Sequence, residues 1–348
     1  MSKPQKIWEI NQLFLFLGML SIVFAALKFA SGIVVPLLIA ISIAIILSPL
    51  FQLLERYRVP RVISLILVLV VSGIFIASVG AYAANELKAF IENAPALAQS
   101  LEKELVSLVS KLHESSIPID TEDLGRLFQP TNVAGILQRM LSELGSQLSN
   151  MMLIIFVAAF ILTDAAGYRM RLEKMYAARD RDLGPVIEII DKIKTYFLIK
   201  AQVSAVTGFC VFLVLWYFDI QYAFLWATMT FAMNFIPVIG SIIAAVPPIL
   251  FALVDHSMVT ALLVTGWYAG INMVIGNIIE PQLMGRGLGL STLTVFFSMT
   301  FWGWMFGPTG MILSVPLTMA FQFLLLQYEE TKWAGFLLSD YKGEKDDG

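Results

Sequence analysis

From residue 201 to residue 328 the chain carries four formal charges in 128 residues: Asp219, Asp255, Glu280 and Arg286. A water-soluble fold needs more polar surface than this stretch can supply. Within it lie two runs with no formal charge at all, 220–254 (35 residues) and 291–328 (38 residues). A straight helix of 35 residues would be about 52 Å long, whereas the hydrocarbon core of a bilayer is about 30 Å thick. Each run must therefore break or fold back.

The breaks are legible. In the first run Asn234-Phe-Ile-Pro237-Val-Ile-Gly240 interrupts the apolar sequence, and in the second Gly303 is followed by Gly307-Pro308-Thr309-Gly310. Both continue into a small-plus-aliphatic stretch that ends Val-Pro, at Val246-Pro247 and Val315-Pro316. Paired Gly/Pro-interrupted segments in two halves of a membrane protein point to a binding site, because a broken helix frees backbone groups that lipid cannot satisfy. The bland alternative is that Gly and Pro act here as packing devices, as they often do in membrane helices. Re-entrant hairpins and bent spanning helices both satisfy the pattern.

The rest of the chain agrees with a membrane setting. Of its 348 residues, 58% are hydrophobic and 14% charged, with a mean hydropathy of +0.79; soluble domains run at about 25% charged. Net charge is −3, which supplies no basic field for a nucleic acid. The single cysteine, Cys210, excludes an intramolecular disulfide and a cysteine metal cage. No phosphate loop, HExxH or G-x-S-x-G pattern occurs. No enzyme, cofactor or metal site is expected.

The sequence predicts an all-α polytopic membrane protein of about eight hydrophobic segments, two of them over-long and broken, with a small helical extracytoplasmic insert. Three transmembrane helices fall within 1–84, over 10–27, 33–54 and 62–84. Residues 85–148 hold nine acidic and five basic residues and read as an amphipathic helical domain outside the bilayer. Its leucines at 97, 101, 105, 108 and 112 mark one helix face. A fourth span occupies 149–163, a cytoplasmic amphipathic segment 164–200, and the transport core 201–328. The tail is 329–348. Lysine and arginine flank the spans at Lys3, Lys6, Arg56–Arg61 and 169–200, all on one side when five spans are counted, which places both termini in the cytoplasm.

Three motifs, taken in order, resemble a known family. They are Asn234-Phe-Ile-Pro237-Val-Ile-Gly240, Asn277-Ile-Ile-Glu280-Pro281-Gln-Leu-Met-Gly285, and Trp302-Gly-x-x-x-Gly307-Pro-x-Gly310 leading to Val315-Pro316-Leu317. Together with length and layout they resemble the autoinducer-2 exporter (AI-2E) family, the PerM-like permeases of the bacterial inner membrane. The resemblance implies transport: export of the quorum-sensing signal autoinducer-2 in some members, sodium(lithium)/proton antiport in others. It also implies a homo-oligomer, a pentamer, with an elevator-type arrangement.

The candidate site is Asn234, Pro237, Gly240, Asn277, Glu280, Pro281, Gly307, Gly310 and Pro316. Glu280 ends a span and precedes Pro281, so its backbone is expected outside the helical region. It reads as a carboxylate for a cation, a proton or substrate hydroxyls, or as an interfacial group paired with Arg286. Asn234 and Asn277 can each donate and accept. They suit a polyol-like ligand, with Asn234 also suited to capping the backbone beside Pro237. Gln202 and Asn272 read as helix-bridging amides. Asp219 and Asp255-His256 read as solvated loop residues, and Trp216, Trp226, Trp267, Trp302 and Trp304 as interfacial anchors.

The partners expected are the lipid bilayer, a small polar solute and H⁺ or Na⁺. Two mechanisms stay open: export of a small polar solute through neutral ligands, and Na⁺(Li⁺)/H⁺ antiport through Glu280. A channel or non-transporting scaffold is the third reading.

Overall fold

The computed structural model describes residues 18–113, 153–164, 167, 171, 174–176, 183–237, 239–284 and 289–339, with side chains excepted at 94–113. The expectations for Lys3, Lys6, Arg169, Arg286, the leucine side chains at 97–112 and the 114–148 part of the insert lie outside them.

The described chain is helical, with no strand among the described residues. Helix α1 (Gly18–Phe29) leads into α2 (Ser31–Arg56) and α3 (Arg61–His113). After α4 (Leu153–Asp164) comes α5 (Gly184–Tyr217). Helices α6 (Ala223–Met233) and α7 (Gly240–Asp255) follow. Helix α8 (Met258–Ile271) continues through a π-helical stretch, Asn272–Ile279, into α9 (Glu280–Met284). Helices α10 (Thr292–Ile312), α11 (Ser314–Leu326) and α12 (Lys332–Leu337) close the chain. Four helical stretches, Ser31–Arg56, Arg61–Asn93, Gly184–Tyr217 and Met258–Met284, are long and apolar enough to cross a membrane.

The eight predicted segments correspond to α1, α2, α3, α4, α5, the pair α6/α7, the continuous α8–π–α9, and the pair α10/α11. The two over-long runs are the two pairs, and each doubles back on itself. At the open end of the first, the Tyr222 and Phe251 rings sit 5.5 Å apart, edge to face. At the open end of the second, Gln322 Nε2 donates to the Gly289 carbonyl at 3.1 Å, and the chain bends by 118° from α10 to α11. Helix α6, with 11 residues, is about 16 Å long and cannot cross a bilayer alone. Each over-long run thus turns back at its glycine- and proline-marked break, and its two legs pack on each other.

Two boundaries drawn from charge fall inside helices. Helix α3 is 53 residues long and runs unbroken through position 85, giving a rod of about 80 Å. Helix α5 begins at Gly184 and runs unbroken through position 200. Helix α3 also holds the first hairpin. The Glu86 carboxylate accepts from the Leu225 backbone N–H at 2.6 Å, one of the orphan donors in the first turn of α6. Asn93 Nδ2 donates to the Tyr222 hydroxyl at 2.8 Å. Phe90 packs between Tyr222, Trp226 and Phe251.

Helix α5 is the hub, packed against α2, α6, α8, the π stretch, α9 and α11. Many large apolar side chains on the other helices point outward, Phe29, Ile33, Phe75, Ile242 and Leu262 among them, as a lipid-facing surface requires.

Candidate functional site

The buried face of α5 carries a polar row at helical spacing: Tyr196, Lys200 and Ser204, at i, i+4 and i+8. Each belongs to a different contact. The Ser204 hydroxyl accepts from Asn234 Nδ2 at 3.0 Å, tying α5 to the break of the first hairpin. Lys200 Nζ donates to Glu280 Oε1 at 2.6 Å, an ion pair whose side chains are only 7% and 15% exposed. Tyr196 packs with Leu313, Val315 and Met319 beside the bend of the second hairpin. Two predicted site residues, Asn234 and Glu280, thus reach consecutive turns of one helix, about 6 Å apart along its axis.

Lys200 is the residue that sequence reasoning misses: read by charge alone, it is the last residue of a basic cytoplasmic segment. It lies near the middle of α5 and is 5% exposed. A signal existed: the apolar Tyr196-Phe-Leu-Ile precedes it, so it stands inside hydrophobic sequence rather than at its margin. A lysine inside an apolar helix needs a counter-ion. Glu280 supplies it.

Glu280 itself departs from expectation. Its backbone is α-helical, with φ −57° and ψ −50°, although Pro281 follows. The helix does not stop because the preceding turns are π-wound: the Glu280 N–H donates to the Ile275 carbonyl, five residues back. The wider turn absorbs the proline and continues into α9. The described partner of Glu280 is Lys200; the alternative pairing with Arg286 lies outside the described residues.

The remaining candidates divide. Gly240 and Gly310 are buried where the two legs of each hairpin touch; an added Cβ would stand 1.8 Å from the Met233 carbonyl oxygen and 1.9 Å from that of Trp302. Gly307 adopts φ 65° and ψ −151°, a conformation essentially restricted to glycine. It lines a cavity of about 350 Å³ with Ser31, Gly32, Val35, Pro36 and Phe306. Pro316 is buried in α11, and Pro237 is half-buried in the first break. Asn277 and Pro281 are exposed and are not drawn into the polar row.

Several secondary readings change too. Asn234 bridges to Ser204 instead of capping beside Pro237. Trp302 is no interfacial anchor: it is buried, and its Nε1–H donates to Thr318 Oγ1 at 2.9 Å, joining the legs of the second hairpin. Trp226 is buried as well. Trp304 is exposed, with the Lys28 ammonium 3.4 Å above its ring. Asp255 and His256 are exposed at the end of α7. Among the described residues no cluster of three or more His, Cys, Asp or Glu could hold a metal.

Comparison with known proteins adds an independent line. A family model described as AI-2E family transporter matches residues 17–330. The chain is similar to the AI-2 transport protein TqsA of Escherichia coli, 35% identical over 344 residues that cover 99% of this chain and 100% of that protein. A Haemophilus influenzae protein, provisionally named a transport protein, is 35% identical over 97% of this chain and 99% of its own length. The sodium-lithium/proton antiporter of Halobacillus andaensis is 26% identical over 94% of this chain and 96% of its own length.

Proposed function

The chain belongs to the AI-2E transporter family, a family of multi-pass membrane transport proteins, and on that premise we propose that it is a secondary transporter that exports a small polar solute, an autoinducer-2-like signal being the family-based candidate. The observation that carries this reading is the pair of matched hairpins, each closed by a glycine against a backbone carbonyl and each packed on α5. The break at Gly307 opens on the 350 Å³ cavity, where backbone groups and the Ser31 hydroxyl can exchange hydrogen bonds with a hydroxylated ligand. Both termini are assigned to the cytoplasm and the 85–148 segment to the outer face of the inner membrane. The protein works as a homo-oligomer. Proteoliposomes loaded with autoinducer-2 test the reading: saturable efflux supports it, and efflux no faster than from empty liposomes removes it.

A second reading, Na⁺(Li⁺)/H⁺ antiport, is favoured by a specific observation: the one described carboxylate paired inside the apolar helices is Glu280, and intramembrane ionisable groups mark ion pathways. The similarity to a sodium-lithium/proton antiporter supports it. Glu280→Gln should abolish proton-coupled sodium flux; flux that persists in this variant ends the antiport reading.

A further inference from the structure

The Lys200–Glu280 pair is not a surface ion pair. It lies where α5, the π stretch and α9 meet, and each side chain is largely removed from solvent. Beside it is a polar group with no evident structural task. The Tyr196 hydroxyl is the one buried side-chain polar atom among the described residues that has no hydrogen-bond partner. It sits one helical turn from Lys200, on the same buried face of α5. A buried hydroxyl left unpaired is costly, and native structures rarely tolerate it without a function. Pro281 contributes a third element: it has no N–H, so a carbonyl of the π stretch loses its helical donor at this point in the chain. Carboxylate, phenol hydroxyl and backbone carbonyl are all oxygen donors, the kind that suit a hard cation.

We infer that Glu280, the Tyr196 hydroxyl and the adjoining π-segment carbonyl form a site for an alkali-metal cation, and that Lys200 is its tethered occupant. In the resting arrangement the ammonium takes the cation's place on the carboxylate. A free Na⁺ or Li⁺ binds only by displacing it. This deepens the antiport reading above and rests on Glu280 as the coupling carboxylate. From α5 Lys200 contacts Glu280 and Tyr196 stands one turn away on the same buried face; α2, α8 and α11, which also pack on α5, present no formally charged side chain along their described buried faces. The exchange conserves charge: one cation arrives on the carboxylate as one ammonium leaves it.

The test is thermal unfolding of the full-length protein in detergent, in NaCl or LiCl against equal choline chloride. Wild type should show no difference specific to Na⁺ or Li⁺, because Lys200 already fills the site. Lys200→Gln should gain a saturable rise in Tm, about 2–4 °C at ten times half-saturation. Lys200→Gln/Glu280→Gln should lose that rise, and Lys200→Gln/Tyr196→Phe should need more cation to reach it. Lys200→Arg should behave as wild type. Should Lys200→Gln yield little folded protein, purification in NaCl or LiCl should recover a folded fraction that choline chloride does not. A folded Lys200→Gln with no cation-specific shift, or a shift that persists without Glu280, overturns the inference. So does the absence of cation rescue where the variant fails to fold. These outcomes are separable from failure of the antiport reading, since unfolding reports binding with no transport.

Discussion

Gly240 and Gly310 make the same contact in two different hairpins: each lies against the carbonyl of the last turn of the preceding leg, so that a Cβ would stand 1.8 Å and 1.9 Å from the oxygens of Met233 and Trp302. The next neighbours match as well, Ile236 Cβ at 3.1 Å and Phe306 Cβ at 3.0 Å. Both obstacles are backbone or branch-point atoms, which cannot swing aside. Gly240→Ala and Gly310→Ala should therefore each destabilise by about 3 kcal/mol or more. Gly266 and Gly270, with nothing within 4 Å of their Cβ positions, are the controls. Alanine there should be neutral or stabilising by up to about 1 kcal/mol. Thermal denaturation in detergent checks the contrast, and equal losses at all four sites would contradict it.

The Lys200–Glu280 pair should show strong coupling in a double-mutant cycle. Lys200→Met or Glu280→Leu alone leaves an uncompensated charge in an apolar interior, at a cost of about 3–5 kcal/mol. The double variant removes both charges and should be more stable than either single one. Additive losses would mean that the pair is hydrated and weak.

In the second hairpin, Trp302→Phe removes the Nε1–H donor to Thr318 Oγ1. An unmade hydrogen bond between buried groups costs about 1–3 kcal/mol. Adding Thr318→Val should restore part of the loss, because the orphaned hydroxyl goes with it. Urea or thermal unfolding of the single and double variants checks the sign.

Glu86→Gln weakens the charge-assisted bond to the Leu225 N–H. The loss should be about 0.5–2 kcal/mol, the range for helix caps and first-turn charges, and it should be local. Hydrogen exchange should quicken at the N-terminal amides of α6 and leave those of α8 unchanged. Uniform quickening across both helices would show that Glu86 supports the whole fold instead.

The sequence made the breaks at Asn234–Gly240 and Gly307–Gly310 visible because length against bilayer thickness is a hard constraint, and glycine and proline mark where it is met. It could not show that each break closes a hairpin. That depends on contacts between residues about thirty apart, such as Tyr222 with Phe251 and Gln322 with Gly289. Glu280 stood out as an isolated carboxylate, yet its partner lies 80 positions away. Lys200 was concealed by its neighbours: counting basic residues assigns it to the cytoplasm, whereas the i, i+4, i+8 row of Tyr196, Lys200 and Ser204 assigns it to a buried face. The π stretch was not legible, because nothing local in Asn272–Ile279 distinguishes a five-residue from a four-residue hydrogen-bond step. It alone lets a helix run through Glu280 and Pro281.

The clamp between α3 and the first hairpin has a mechanical consequence. Glu86, Phe90 and Asn93 grip the hairpin at its open end, and α3 has no break between Arg61 and His113. The hairpin is therefore fastened to the interior of the helix, and the stretch from Asn93 to His113 extends about 30 Å beyond the grip. A displacement of α3 at Glu86–Asn93 is passed directly to Tyr222 and Leu225, so the first hairpin cannot shift relative to α3 unless this grip is released.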